Sequence, residues 1–367
     1  MPYAHITGWG MSIPEPVLTN EDLAKMVDTN DEWIRDRTGI RERRIAREDQ
    51  FTSTLAVEAG IKALQAANLA PTELDLIIVA SSSPEYIFPA TACIVQDQIG
   101  AAKAGAFDLL AACSGFIYAT NMAAQSIRSG SIKNALVIGS ETLSRFVNWK
   151  DRSTCILFGD GAGAFVLQAS ERPGGVLSAV MHSDGSGAES LTLLGGGARY
   201  PATETTLAEG KHYIQMDGKA VFRFATRVMG SATKEALALA GLKTEDVDWI
   251  IPHQANFRII ETAAKYLKMP LEKFVINVDR YGNTSTASIP IAAVEAFEKG
   301  KLKSGDKVVF VGFGAGLTWG ALVAEWTGPI PAKKQAHPEQ YRLFARLRSW
   351  ARRAIRFLEG FLSRREL

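Results

Sequence analysis

Residues 68–78 read Asn68-Leu69-Ala70-Pro71-Thr72-Glu73-Leu74-Asp75-Leu76-Ile77-Ile78. A proline-marked break gives way to an apolar run, the pattern of a loop feeding a buried strand. The passage returns as Gly241-Leu242-Lys243-Thr244-Glu245-Asp246-Val247-Asp248-Trp249-Ile250-Ile251, with Leu69 matching Leu242 and Asp75 matching Asp248 at an offset of 173. A second pair follows in the same order. Ala124-Gln125-Ser126-Ile127-Arg128-Ser129-Gly130-Ser131-Ile132-Lys133 aligns with Val294-Glu295-Ala296-Phe297-Glu298-Lys299-Gly300-Lys301-Leu302-Lys303 at an offset of 170. Two matches in one order at nearly equal offset point to a duplicated unit. Each copy reads helix, Gly-containing turn, apolar strand, so the fold class is α/β with sheets covered on both faces. Cys113 to Gly130 and Asn283 to Gly300 both span 17 residues, which places Cys113 and Asn283 at the start of equivalent helices.

Cys113 is the outstanding chemical residue. It ends the small-residue run Phe107-Asp108-Leu109-Leu110-Ala111-Ala112-Cys113 and precedes a helical pattern reaching about Arg128. Unpaired N–H groups and the positive end of the dipole at a helix N-terminus favour thiolate, the nucleophilic form. A buried cysteine is also a common core residue, and that reading stands beside the first. Two segments favour the nucleophile. Trp249-Ile250-Ile251-Pro252-His253 sets an imidazole at the end of an apolar strand, and Tyr281-Gly282-Asn283-Thr284-Ser285 sets an amide in a Gly-containing turn. Cysteine, histidine and asparagine together suggest nucleophilic acyl chemistry.

Composition agrees with a globular enzyme. The chain has 367 residues, 47% hydrophobic and 22% charged, enough for large cores and for two domains or one duplicated unit. Three cysteines, Cys93, Cys113 and Cys155, argue against a disulfide framework and for a reducing, cytoplasmic setting. Cys93 and Cys155 lie in apolar contexts and read as core residues. The N-terminus lacks the pattern of a signal peptide, and no apolar run is long enough to span a bilayer. No Cys/His spacing resembles a metal site. Gly159-Asp160-Gly161-Ala162-Gly163 precedes another strand pattern rather than a helix, which argues against a dinucleotide loop. The glycines of 184–187 and 195–197 read as flexible loops near an entrance.

Five segments occur in order: Asp31-Glu32-Trp33-Ile34 to Arg37-Thr38-Gly39-Ile40-Arg41-Glu42-Arg43, the Cys113 segment, Pro252-His253-Gln254-Ala255-Asn256, Tyr281-Gly282-Asn283-Thr284-Ser285, and Gly312-Phe313-Gly314-Ala315-Gly316-Leu317-Thr318-Trp319-Gly320. Over about residues 1–327 the series resembles beta-ketoacyl-acyl-carrier-protein synthase III, the condensing-enzyme family that starts bacterial fatty-acid synthesis. The resemblance implies a thiolase-like five-layer αβαβα sandwich of two βαβαβαββ halves, 1–170 and 171–330. It implies a decarboxylative Claisen condensation of an acyl-CoA primer with malonyl-acyl-carrier protein, through an acyl-enzyme on Cys113. His253 and Asn283 would stabilise the enolate, and the backbone N–H groups of Cys113 and Ala315 the acyl oxyanion. Many relatives carry glycine at the Ala315 position, so alanine there raises the question of backbone strain.

The resemblance further implies that Trp33 and Arg152 sandwich the coenzyme A adenine, with Arg37 near its phosphates. Asn256 would bond the pantetheine arm, Phe313 would pack beside His253, and Phe88 would cross a homodimer interface to cap the acyl pocket. Arg258, with Gln254, would meet the carrier protein. Acyl-CoA and carrier protein would be substrates, with no cofactor and no metal. Elongating relatives use Cys-His-His, thiolases a second cysteine, and chalcone-type synthases a proline at the Ala315 position. A related ketosynthase of secondary metabolism, a cysteine hydrolase and a non-catalytic acyl-CoA binder remain the alternatives, and the primer is left open.

The tail is an addition on which the resemblance is silent. Residues 331–367 carry ten Lys/Arg and three Asp/Glu, against 31 and 36 in the preceding 330. Residues 331–340 read as a linker, and 341–362 as a helix within the tail 341–367. At 100° per residue Leu343, Leu347, Trp350, Ala354, Phe357, Leu358 and Phe361 share one face, and Arg342, Arg346, Arg352, Arg353 and Arg356 the other. Such a helix could dock on the acidic body or lie on an anionic membrane. Nucleic-acid binding would waste the apolar face.

Overall fold

The computed structural model describes residues 1–329 and 335–363. The first sheet consists of β1 (Tyr3–Ser12), β2 (Leu76–Ala80), β3 (Gly105–Leu109), β4 (Asn134–Glu141) and β5 (Gly161–Ser170), in the order β1-β5-β4-β2-β3. The second consists of β6 (Val176–Ser183), β7 (Trp249–Pro252), β8 (Lys307–Gly314) and β9 (Thr318–Glu325), in the order β6-β9-β8-β7. An isolated parallel bridge, Ile250 to Phe274, stands where the fifth strand would lie. Strand directions match between sheets: β4 runs parallel to β2 and β8 to β7, while β5 and β9 run antiparallel to their neighbours. The starts of β1, β2 and β4 recur 173 residues later as those of β6, β7 and β8.

Three helical layers complete the sandwich. Helices α1 (Asp31–Thr38), α2 (Thr52–Ala67), α3 (Thr91–Ile99), α4 (Gly115–Arg128), α5 (Gly218–Leu239), α6 (Phe257–Leu267) and α7 (Ser288–Glu298) precede the C-terminal α8 (Pro338–Ser363). The apolar faces of α2 and α3 share a core with the outer side of the first sheet. Those of α5 and α6 share one with the outer side of the second. Between the sheets lie α7, buried over Ser288–Ala296, and α4, buried except along the face of Met122 and Gln125; Phe116, Ile117, Ile289 and Ala292 share one cluster with Ile78, Val137, Ile251 and Phe310. The Phe165 ring lies 5.0 Å from Phe116, 5.7 Å from Phe310 and 5.8 Å from Trp326, bridging both sheets. This is the five-layer αβαβα sandwich of the thiolase-like fold.

Close approach of the central helices needs glycine. A Cβ on Gly139 of β4 would stand 2.3 Å from the Thr286 carbonyl oxygen, and one on Gly314 of β8 would stand 2.6 Å from the Cys113 nitrogen. Both distances are below any tolerable contact, so side-chain-free backbone lets each helix start seat on its strand.

Cys155 is buried, but Cys93 on α3 is exposed, which corrects its reading as a core residue. Its apolar neighbours Ala92, Val95 and Ile99 form the buried face of α3, and Cys93 lies off that face with its thiol 3.7 Å from the Ala106 carbonyl on the edge strand. The C-terminal helix begins at Pro338, three residues earlier than expected, because proline is well accepted in a helix's first turn. Of the linker, 331–334 lie outside the described residues, as do 364–367 of the tail and the side chain of Phe361.

Candidate active site

Cys113 sits in the 3₁₀ turn Ala112–Ser114 that leads into α4. The preceding Ala112 has φ 46°, a left-handed backbone that costs alanine energy and is held by the surrounding packing. The thiol is 6% exposed. Burial pushes it up to about 12, a hydrogen bond with Ser285 opposes the rise, and buried Glu141 adds to it. Loss of water thus works against the thiolate expected from the helix N-terminus and holds the group above the ordinary thiol range.

His253 follows β7 and is 1% exposed. Its nitrogen donates to the Val311 carbonyl at 2.8 Å, which fixes it against β8. Ring Nδ1 lies 2.7 Å from Ser288 Oγ, and Phe313 packs edge-on at 5.3 Å. Nε2 is buried without a hydrogen-bond partner among the described residues. Burial lowers its pKa to about 3, so the imidazole is neutral. The Ser288 hydroxyl can donate to Nδ1 or accept from it, and so suits either neutral tautomer.

Asn283 is 7% exposed and bridges to Phe158, donating its backbone N–H to Leu157 at 2.8 Å and accepting from Gly159 at 3.0 Å. Its Oδ1 accepts from the Ser285 nitrogen at 2.8 Å. With the carbonyl end held, the amide NH₂ is the end left to donate. The expected equivalence with Cys113 is not found. The turn matching Ala112–Ser114 is Ser285–Ala287, 173 residues on, and Asn283 lies before it. α7 is three residues shorter than α4, so the helix starts keep the 173 offset while the C-termini fall to 170.

The three residues converge on the end of β8. The space around Gly312 is bounded by the His253 Cβ, that around Gly314 by the Cys113 backbone, and Ser285 connects Asn283 to the thiol. A cavity of about 90 Å³ opens at Cys113, lined by Leu143, Phe146, Phe158, Leu191, Ile214 and Ala315 among others. Outside it a cleft of about 1040 Å³ is lined by Ala112, Glu189, Leu193, Arg199, Ala315 and Gly316, among others. Of the stretches expected to border an entrance, Arg199 and the adjoining Ala188, Glu189 and Leu194 line this cleft, the glycines of 184–187 and 195–197 do not, and Gly185–Ser190 is a 3₁₀ helix. Ala315 itself is not among the left-handed residues; Gly316 carries that conformation, with φ 140°, so the feared strain at Ala315 does not arise.

The predicted outer residues divide. Arg37 and Arg152 both stack on Trp33, with guanidinium carbons 4.7 and 5.2 Å from the ring centroid. Arg152 also donates to the Asp28 carbonyl at 2.8 Å. Asn256 caps α6, accepting from the Arg258 nitrogen at 2.9 Å while donating to the Arg37 carbonyl at 2.9 Å. Arg258 is exposed over Phe222. Phe88, 84% exposed, does not line the cavity. Gln254 is corrected: it is 1% exposed, donates to the Pro252 and Val275 carbonyls and accepts from the Asn277 nitrogen, so it cannot face a carrier protein. A polar side chain beside a strand-end histidine looks like a surface contact in sequence, but here it satisfies buried backbone groups.

Sequence reasoning missed Ser288 and Glu141. Glu141 is fully buried, accepting from the Ser82 nitrogen and the Ser83 and Thr286 hydroxyls, and burial raises its pKa. The serine-rich run 81–83 was the available signal. Among the described residues no group of His, Cys, Asp and Glu could hold a metal.

Family models described as 3-oxoacyl-[acyl-carrier-protein (ACP)] synthase III and its C-terminal part match residues 107–185 and 237–326. A beta-ketoacyl-[acyl-carrier-protein] synthase III of Desulfitobacterium hafniense (strain Y51) is 55% identical over 322 residues, 88% of this chain and 97% of that protein. The chain belongs to the beta-ketoacyl-[acyl-carrier-protein] synthase III family. Another member, from Roseiflexus sp. (strain RS-1), is 50% identical over 89% of this chain and 99% of its own length. The crystal structure of 3-oxoacyl-[acyl-carrier-protein] synthase III from Aquifex aeolicus VF5 superposes with a TM-score of 0.81 at 49% identity, covering 88% of this chain and 99% of that one. The family match ends at residue 326, before the tail.

Proposed function

We propose that this enzyme starts fatty-acid synthesis by condensing a short acyl-CoA primer with malonyl-acyl-carrier protein to give 3-oxoacyl-acyl-carrier protein and carbon dioxide. The observation that carries the reading is the buried Cys113 thiol opening on an apolar cavity, with a neutral His253 whose Nε2 is free. Cys113 attacks the primer thioester, and His253 passes the thiol proton to the departing coenzyme A. Malonyl carboxylate then leaves as carbon dioxide. The enolate oxygen takes hydrogen bonds from His253 Nε2 and Asn283 Nδ2, and its carbon attacks the acyl group on Cys113, breaking the thioester C–S bond and expelling the Cys113 thiolate, which takes one proton from solvent to restore the thiol. The backbone N–H groups of Cys113 and Ala315 stabilise the acyl oxyanion. A cavity of about 90 Å³ suits a chain of a few carbons.

Trp33, Arg37 and Arg152 offer flat cationic and aromatic faces for the coenzyme A adenine and phosphates. A base between Trp33 and Arg152 needs faces about 7 Å apart, twice a contact distance, so Arg152 moves aside to admit it. Asn256 bonds the pantetheine arm by exchanging its tie to Arg37, and Arg258 meets the acidic carrier protein. The enzyme works as a cytoplasmic homodimer. Exposed Tyr86, Ile87, Phe88 and Leu110, beside the open edge of β3, support that pairing. The tail adds a peripheral membrane contact.

The test supplies acyl-CoA and malonyl-acyl-carrier protein and identifies products by mass. The reading expects 3-oxoacyl-acyl-carrier protein. Free fatty acid with no ketoacyl product would make the protein a hydrolase instead.

A further inference from the structure

The C-terminal helix turns its polar side to the body. Ala345 and Ser349 are 3% and 8% exposed. Ser349 Oγ lies 2.5 and 2.7 Å from the two carboxylate oxygens of Asp97 on α3, and Arg348 approaches the same carboxylate at 3.6 Å. The other side is apolar and uncovered: Leu343, Phe344, Leu347, Trp350, Phe357 and Leu358 are 58–75% exposed. At 100° per residue they form one stripe opposite Ala345 and Ser349. An amphipathic helix serving only to dock on its own body would turn that stripe inward. Exposed Arg346 and Arg353 border it along one edge, while exposed Arg352 and Arg356 lie on the opposite face. No helix among the described residues is long and apolar enough to cross a membrane.

We infer that α8 lies on anionic bilayer, burying this stripe among acyl chains while the flanking arginines pair with lipid phosphates. The inference rests on the reading of the tail as a membrane contact and names the lipid chemistry. Charge complementarity selects the occupant. A second copy packed on this stripe would bring the bordering Arg346 and Arg353 of each helix together, with Glu339 and Glu359 as the exposed carboxylates described on each helix. An anionic surface supplies the missing countercharge. Trp350 within the stripe suits the headgroup boundary. Residues 1–330, with 31 Lys/Arg against 36 Asp/Glu, would be repelled by such a surface, so the tail reverses the protein's preference.

The experiment is flotation of the full chain with vesicles of phosphatidylcholine alone or mixed with phosphatidylglycerol, at low and high salt. Flotation with the mixed vesicles at low salt is expected. Replacing the bordering Arg346 and Arg353 together by Gln should lower partitioning roughly 30-fold, and Leu347→Glu with Trp350→Glu should abolish it. Condensation activity, unchanged in both variants, shows that they are folded. Equal flotation with phosphatidylcholine alone overturns the anionic assignment and leaves the membrane contact standing. Failure to float with either, with a dimer-to-tetramer shift lost in Leu347→Glu, overturns both and makes a second copy the occupant.

Discussion

Ala112 and Ser285 lie 173 residues apart and hold the same left-handed backbone, φ 46° and 47°. Each opens a 3₁₀ turn into a central helix. The pair relates the two halves at the site itself, and it makes Thr286 the counterpart of Cys113. Duplication therefore supplied two helix starts at one centre. One carries Cys113, and the other carries Ser285 and Ser288, which hydrogen-bond Asn283 and His253.

The two donors should separate by step. Asn283→Ala should lower malonyl decarboxylation on the order of 100-fold, with primer transfer nearly intact, because its amide acts on the enolate. His253→Ala should lower both steps, because the buried thiol needs a proton acceptor. Single-turnover acylation and carbon dioxide release, measured separately, check this. Normal decarboxylation by Asn283→Ala would show that the amide has no such role.

Ser288→Ala should cost roughly tenfold in decarboxylation, the effect of one lost orienting hydrogen bond. Ser288→Thr should restore most of it. If alanine and threonine behave alike, orientation through Nδ1 is not the cause.

Acid should destabilise the protein through His253. Its folded pKa, about 3, lies below the ordinary 6.5, so between these values the unfolded chain binds a proton that the folded one refuses. Stability is full above pH 6.5 and falls as pH drops. At pH 5 the loss is about 2 kcal/mol. Urea unfolding at pH 7.5 and pH 5 should show a smaller difference for His253→Gln, and an equal difference would contradict the assignment.

Gly314→Ala should place a methyl 2.6 Å from the Cys113 nitrogen. Overpacking of this kind costs about 1–3 kcal/mol, and displacing the nucleophile should slow acylation on the order of 100-fold. Melting and acylation measured together check it. A variant with normal acylation would show that the strand end does not set the nucleophile's position.

Much of this was legible because strong local rules agree with the fold. The apolar runs at 76–80 and 249–252 became strands, and the repeat at 173 survived as matched sheet topology. Cys113, His253 and Asn283 stood in motifs whose spacing carries chemistry. What failed depended on long-range burial. The spacing from Cys113 to Gly130 matched that from Asn283 to Gly300, but only because a shorter helix hid a three-residue shift. Gln254 read as a surface contact, and Cys93 as core, because one strand end and one helix face decide their exposure. The thiol's ionisation turned on desolvation, which no local pattern records. Ser288 reaches His253 from 35 positions away.

The central claim is that Cys113 carries the acyl group. Intact-mass and peptide-mapping measurements after incubation with a panel of acyl-CoAs test it directly. The account predicts one thioester adduct on the Cys113 peptide, strongest for short chains and absent from Cys113→Ala. Exposed Cys93 should react with general thiol reagents yet take no acyl group. An adduct on Cys93 or Cys155 with Cys113 unmodified would contradict the account.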